Sequence, residues 1–329
     1  MELRRFGATD LRVSELGLGC ARIGGVFQRD PKGFLDLLRA AYDGGINFFD
    51  TADMYSQGES ETLLGRAFYG RRDRVVIASK AGYRLPAQRR LAAQVKPLLR
   101  PLIRALGLRR DRLPGAVRGE PSQDFSPGYL CRAVEGSLRR LRTDYLDLFQ
   151  LHSPPAEIVR RAEWESALDR LRREGKIRYF GISCDTPEAA LAAVARPGVA
   201  AIQLAVNLIE RNAVDRVLPQ ARAAQVAVIA RECLANGLLA KDAGAVDLKT
   251  YCRSPEEAER RARQLEAARK LARESGCSLA QLALRFVQGL EGVSVALIGV
   301  STQAQLTELL RLRRDGPELP AAAWRAVPA

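Results

Sequence analysis

The 329-residue chain carries a single histidine, His152, and its six cysteines (Cys20, Cys131, Cys184, Cys233, Cys252 and Cys277) include no C-x-x-C pair. That scarcity argues against a zinc site and for reduced thiols. No apolar run reaches the roughly 18 residues that a membrane span needs, and "MELRRFGATD" lacks the apolar centre of a secretion signal. A cytoplasmic protein with no membrane partner is the default expectation. No linker divides the chain, and α/β barrels run to about 250 residues as one unit, so a single domain over 1–329 is expected. Heptad runs and uncovered strand edges are missing as well, so the oligomeric state leaves no mark.

Acid is scarce in one place. Between Arg84 and Arg118 stand ten basic residues and one acid, Asp111, which accounts for most of the net charge of +14. The interleaved Leu91, Val95, Leu98, Leu99, Leu102 and Ile103 suit an amphipathic helix. No aromatic is present there to stack on bases, so no nucleic-acid partner is expected. A solvated arginine-rich face and an anion-attracting element remain open.

Elsewhere, short apolar runs alternate with helical patterns. "SELGLGC" precedes a stretch with Phe34, Leu37, Leu38 and Ala41 at helical spacing, and "INFFD" precedes "SETLLGRAFYG". "RVVIASK", the basic insertion, "SPGYLCRAVEGSLRRL" and "YLDLFQLH" follow, then a helix with Trp164, Ala167, Leu168 and Leu171 on one face. "YFGISCD", "AIQLAVN", "VAVIARE", "SVALIGV" and the helix "STQAQLTELLRL" complete the series. Eight strands alternating with helices predict an α/β fold, a (β/α)8 TIM barrel, with "MELRRFGATDLRVS" as an N-terminal β-hairpin turning near Gly7 and plugging the barrel floor. A doubly wound sheet is the alternative, although "GLGCAR" has Arg22 where the third glycine of a dinucleotide fingerprint belongs.

The last residues of six successive strands are Asp50, Lys80, His152, Ser183, Gln203 and Arg231. Barrel enzymes gather their chemistry at these C-terminal ends. With Tyr55, which follows Asp50 by five residues, the set suits carbonyl reduction. Lys80 would lower the phenol pKa of Tyr55, Asp50 would hold Lys80 charged, Tyr55 would give a proton to the carbonyl oxygen, and His152 would orient that oxygen. One histidine is too few for a metal-dependent barrel hydrolase, so no metal site is assigned.

"GGINFFDTADMY", "VVIASK", "YLDLFQLH", "GKIRYFGIS" and "SLAQLALRFV" together resemble the aldo-keto reductase superfamily, from about residue 3 to about residue 312. The resemblance implies a barrel that binds an extended nicotinamide dinucleotide, and a catalytic tetrad of Asp50, Tyr55, Lys80 and His152. It implies cofactor contacts from Asp50, Ser183, Cys184, Gln203, Arg231, Leu234, Gly237, Gly299, Ser301 and Gln305. Three departures stand out: Cys184 takes the place of the family's carboxamide-binding asparagine, Arg231 that of a ring-stacking aromatic, and Leu309 that of an adenine-contacting asparagine. Arg231 also suits a rim ion pair with Glu232, and Ser301 stands where many members carry arginine. The expected cofactor is NADPH, with NADH possible, and the expected substrate is a small-molecule carbonyl: an aldehyde, a ketone or a sugar-derived carbonyl. A cofactor-binding sensor with little turnover is the alternative. The insertion, at about 81–124, then emerges on the active-site face as a lid or pocket wall favouring anions, and Tyr83, Phe27 and Tyr251 are candidate pocket residues.

Overall fold

Eight short runs pair edge to edge, all parallel, and close on themselves in the order β10–β11–β12–β3–β4–β5–β8–β9 of a computed structural model. Its described residues are 1–24, 31–84, 122–240, 247–248, 251–252, 254–314, 324 and 326–328. The barrel strands are β3 (Leu16–Gly19), β4 (Phe48–Asp50), β5 (Val76–Ala81), β8 (Leu146–His152), β9 (Ile177–Ser183), β10 (Val199–Ala205), β11 (Ala227–Arg231) and β12 (Val293–Ile298). Closure removes the doubly wound alternative. Most of the basic insertion, residues 85–121, and Phe27 lie outside the described residues. The flanks of the insertion, β6 (Tyr83–Arg84) and β7 (Ser122–Gln123), pair antiparallel.

Around the strands, the described helices are α1 (Pro31–Asp43), α2 (Glu59–Ala67), α3 (Pro127–Leu141), α4 (Ala156–Arg161), α5 (Glu165–Arg173), α6 (Pro187–Val194), α7 (Asn212–Arg216), α8 (Leu218–Ala223), α9 (Pro255–Glu274), α10 (Leu279–Gln288) and α11 (Gln303–Arg314). Their starts follow local chemistry. Ser278 caps α10 through a reciprocal box with Gln281, and Thr186 and Ser254 cap α6 and α9, each followed by proline at the first helical position. The apolar stripes face inward as their spacing predicts: Phe34, Leu37, Leu38 and Ala41 are buried on α1, and Trp164, Ala167, Leu168 and Leu171 along α5. Each large side chain so buried contributes about 1.5–3 kcal/mol. Among the described residues no helix is long and apolar enough to cross a membrane.

Side chains alternate across each strand, so one set fills the barrel and the other meets the helices. The inward set begins apolar, with Phe48, Val76, Ala78, Leu148, Ala201, Ala227, Ile229, Val295 and Leu297 in one buried cluster. Continuing the period of two toward the C-terminal ends gives Asp50, Lys80, Gln150, His152, Gln203 and Arg231. Below the apolar layer, the hairpin of β1 (Leu3–Arg5) and β2 (Arg12–Ser14) inserts Phe6, Leu11 and Val13, with Phe6 packed on Phe48 at 5.7 Å between ring centroids. Gly7 turns at φ +56°, and a Cβ there would stand 2.6 Å from Gln225 O and 2.7 Å from Ala227 N. Only glycine lets the plug sit so close to the barrel. Gly17 on β3 has the matching role inside, since a Cβ would meet Val295, Leu297 and Phe48 at 2.7–2.9 Å.

Candidate active site

The pairing of β4 with β5 does not stop where the strands do. Thr51 N donates to Ala78 O at 2.8 Å and Asp53 N to Lys80 O at 2.9 Å, so the loop after Asp50 is laced to the neighbouring strand. Tyr55 N then closes a turn on Ala52 O at 3.1 Å. Ser56, Gln57 and Gly58 follow with φ of 50°, 62° and 85°, a left-handed run that launches α2. This lacing sets the Tyr55 ring with its centroid 5.3 Å from Lys80 Nζ. Backbone conformations of this cost cluster at the mouth, where Ser153, Glu232, Ala235 and Asn236 also have positive φ.

Lys80 Nζ donates to Asp50 Oδ1 at 2.7 Å and Oδ2 at 2.6 Å, and both residues are buried. Burial works against the ammonium, but the Asp50 carboxylate and Tyr55 outweigh it and hold the Lys80 pKa above its ordinary value. Asp50 Oδ1 also accepts from Gln203 Nε2 at 2.9 Å and lies 3.4 Å from Gln150 Nε2, while Gln203 Oε1 accepts from Ser183 Oγ at 3.1 Å. Lys80 pulls the Tyr55 phenol pKa down as expected, yet the net shift is upward. Burial raises Tyr55 above the ordinary tyrosine value, and the pull of Lys80 and Arg231 does not cancel it, with Asp50 adding to the rise.

His152 meets Tyr55 edge-on at 5.9 Å and Tyr83 edge-on at 5.0 Å. Burial first, then the charges of Lys80 and Arg231, pull its pKa down to about 3, so the imidazole is neutral at physiological pH. Its Nδ1 is sealed from solvent with no partner among the described residues. Asp50, Tyr55, Lys80 and His152 therefore meet in one place, with Lys80 one residue short of its strand end and Gln203 two short of its own.

The remaining sequence-predicted residues divide. Ser183 and Gln203 lie on the floor of the mouth, bonded to each other. The Cys184 thiol is buried and turned toward Ile182 O at 3.6 Å. Arg231 pairs with Glu232, as the ion-pair alternative anticipates, and also with Asp185 Oδ1 at 2.7 Å. Leu234 and Gly237 are half-buried in the following turn. Gly299 is exposed with open space around it, and Gln305 on α11 is exposed and accepts from Ser301 N at 2.8 Å. Leu309 is buried and packs in the core. Sequence reasoning missed Gln150, which the period of two from His152 points to, and Asp185, whose partner Arg231 lies 46 residues away.

Known proteins share the family and the fold. Residues 15–325 match the Aldo/keto reductase family. Aldo-keto reductase YhdN of Bacillus subtilis is 30% identical over 324 residues, covering 94% of this chain and 88% of YhdN. The uncharacterized oxidoreductase YqkF of the same organism is 34% identical over 239 residues, 73% of this chain and 67% of YqkF. Among solved structures, aldo-keto reductase AKR11C1 from Bacillus halodurans in its holo form superposes with a TM-score of 0.77 at 28% identity, covering 99% of this chain and 95% of its own. Glycerol dehydrogenase AKR11B4 from Gluconobacter oxydans gives 0.77 at 27% identity, covering 99% and 94%.

Proposed function

Since the chain belongs to the aldo/keto reductase family, we propose that it reduces an aldehyde, a ketone or a sugar-derived carbonyl to the alcohol, using NADPH in preference to NADH. The observation that carries this reading is the buried Lys80–Asp50 pair beside the Tyr55 ring, with neutral His152 across from it. The likeness to a glycerol dehydrogenase supports a small polar substrate within this class.

The residues present fit a nicotinamide dinucleotide. The unpartnered Nδ1 of His152 marks a polar site unsatisfied by the protein alone, and Gly299 leaves the backbone open before α11. Ser183 and Gln203 would hold the carboxamide, Arg231 the ring face, Leu234 and Gly237 the path between, and Ser301 and Gln305 the phosphate end, where backbone N–H groups at the start of α11 favour an anion. Cys184 leaves the carboxamide to its neighbours. When bound, the reduced cofactor supplies the hydride that the carbonyl carbon receives.

The protein's part is to polarise the carbonyl and deliver the proton. Tyr55 keeps its proton because burial holds its pKa up, which is the state reduction requires. Its Oη gives that proton to the carbonyl oxygen as negative charge develops there. The Lys80 ammonium stabilises the resulting phenolate, and Asp50 keeps Lys80 charged and aimed. His152 gives a neutral N–H to the same oxygen, fixing its direction without competing as an acid.

Aldehyde-dependent oxidation of NADPH, and separately of NADH, tests this in the parent and in Tyr55→Phe. Loss of about 10²–10⁴ in turnover with cofactor affinity retained is expected. Full turnover in the variant removes Tyr55 from the role. Cofactor binding without turnover in the parent favours a sensor.

A further inference from the structure

Asp53 lies two residues before Tyr55, yet the proton path does not use it. Its Oδ1 is sealed from solvent and has no partner among the described residues, while Oδ2 stands 3.4 Å from Tyr129 Oη, long for a hydrogen bond. The Tyr129 hydroxyl lies closer to a second acceptor, the Tyr83 carbonyl, at 3.0 Å. A phenol has one proton to give, so the two acceptors compete for it. Tyr83 is otherwise held, among the described residues, by its pairing with Gln123 across the two-residue strands β6 and β7, and its ring packs edge-on against His152.

We propose that Asp53 and Tyr129 are positioning residues for substrate binding: the proton shared between them decides whether Tyr129 anchors the Tyr83 carbonyl, and hence whether the Tyr83 ring is fixed against His152 as a wall of the carbonyl pocket. This rests on the reductase reading given above. When Asp53 is protonated, its hydroxyl donates to Tyr129 Oη, and the phenol proton is free for Tyr83 O. When Asp53 is ionised, its carboxylate draws the phenol proton and Tyr83 loses its anchor.

The surroundings place this exchange in an accessible pH range. Burial, then the neighbouring Glu61 carboxylate, push the Asp53 pKa up to about 7 against the pull of Arg140, the Met54 backbone and Tyr129. Glu61 on α2 is occupied by Ser79 Oγ and Arg140 Nε, both at 2.6 Å, so Arg140 on α3 is committed to Glu61. From β5, Lys80 presents its carbonyl to Asp53 and spends its ammonium on Asp50. Arg84 lies 5.3 Å over the Tyr129 ring and pairs with Asp124 at 2.8 Å.

The test replaces Tyr83 with 4-fluorophenylalanine and follows the fluorine resonance by NMR from about pH 5 to about pH 9, alongside the KM of the unlabelled enzyme for a reactive aromatic aldehyde. The resonance is expected to titrate near pH 7, and KM to rise about fivefold over the same interval with kcat little changed, the effect of one net hydrogen bond. Asp53→Asn, whose amide always donates, should hold both readouts at their low-pH values, and Tyr129→Phe should hold both at their high-pH values. A resonance that does not move in the parent, a titration that survives Asp53→Asn, or a titrating resonance with a flat KM overturns the proposal. The fluorine signal needs no turnover: a resonance that titrates normally in a protein without turnover sustains the coupling and sinks the reductase reading instead.

Discussion

Lys80 Nζ bridges both carboxylate oxygens of Asp50, at 2.7 and 2.6 Å, inside the barrel and away from water. Removing one member of such a pair strands the other charge. Lys80→Met should therefore destabilise the fold by about 3–5 kcal/mol as well as abolish turnover. Denaturant titration of Lys80→Met, Asp50→Asn and the double variant checks this, the double variant recovering stability without activity. A double variant no more stable than Lys80→Met would place the cost in packing rather than in the stranded carboxylate.

His152 provides a clean spectroscopic probe because no other imidazole exists in the chain. Its pKa, held down to about 3, predicts a single imidazole signal that does not titrate from about pH 5 to about pH 8, and a kcat profile without an inflection near the ordinary histidine value. A signal that titrates near 6.5 would mean that the site admits more water than this geometry allows.

Asp53 makes the opposite kind of statement about pH. Its folded pKa is raised above the ordinary aspartate value to about 7, so its contribution to stability is complete at low pH and is lost as pH rises through about 7. Asp53→Asn should therefore gain stability over the parent at about pH 8, on the order of 2–4 kcal/mol, and lose that advantage near pH 4. Unfolding midpoints at the two pH values decide the matter.

Arg231→Ala should weaken cofactor binding several-fold while leaving the rate of the bound complex nearly unchanged, the pattern of a residue that holds a ring rather than moves a proton. Fluorescence titration with NADPH measures it. Unaltered affinity would leave Arg231 as the rim tie to Asp185 and Glu232 that the structure displays.

At the other end of the barrel, Gly7→Ala should cost about 1–3 kcal/mol, because a left-handed backbone and a Cβ 2.6 Å from Gln225 O are imposed together. Thermal unfolding of this variant, with turnover per folded molecule unchanged, separates the plug from the chemistry.

Much of this fold and site is legible in the sequence. Burial on both faces makes barrel strands continuous apolar runs, so "YLDLFQLH" and "VVIASK" announce themselves, and α1 and the stretch from Trp164 to Leu171 follow from helical spacing alone. The meeting of Asp50, Tyr55, Lys80 and His152 was legible because strand ends converge in a barrel. Three things were not. The raised pKa of Tyr55 is a property of the whole enclosure, which no local pattern records. Arg231's partner Asp185 sits on a different strand end, brought close by β9 and β11 flanking β10. Asp53 stood in the stretch that named the site, but its coupling to Tyr83 runs through Tyr129, a residue 76 positions away.

The lacing of Thr51 and Asp53 onto β5 ties the fate of the reaction to that of the wall. The phenol sits on the loop after β4, laced to the β5 strand that carries the ammonium, so thermal breathing carries them together rather than apart. Amide hydrogens at these two positions should therefore exchange only as this part of the barrel opens.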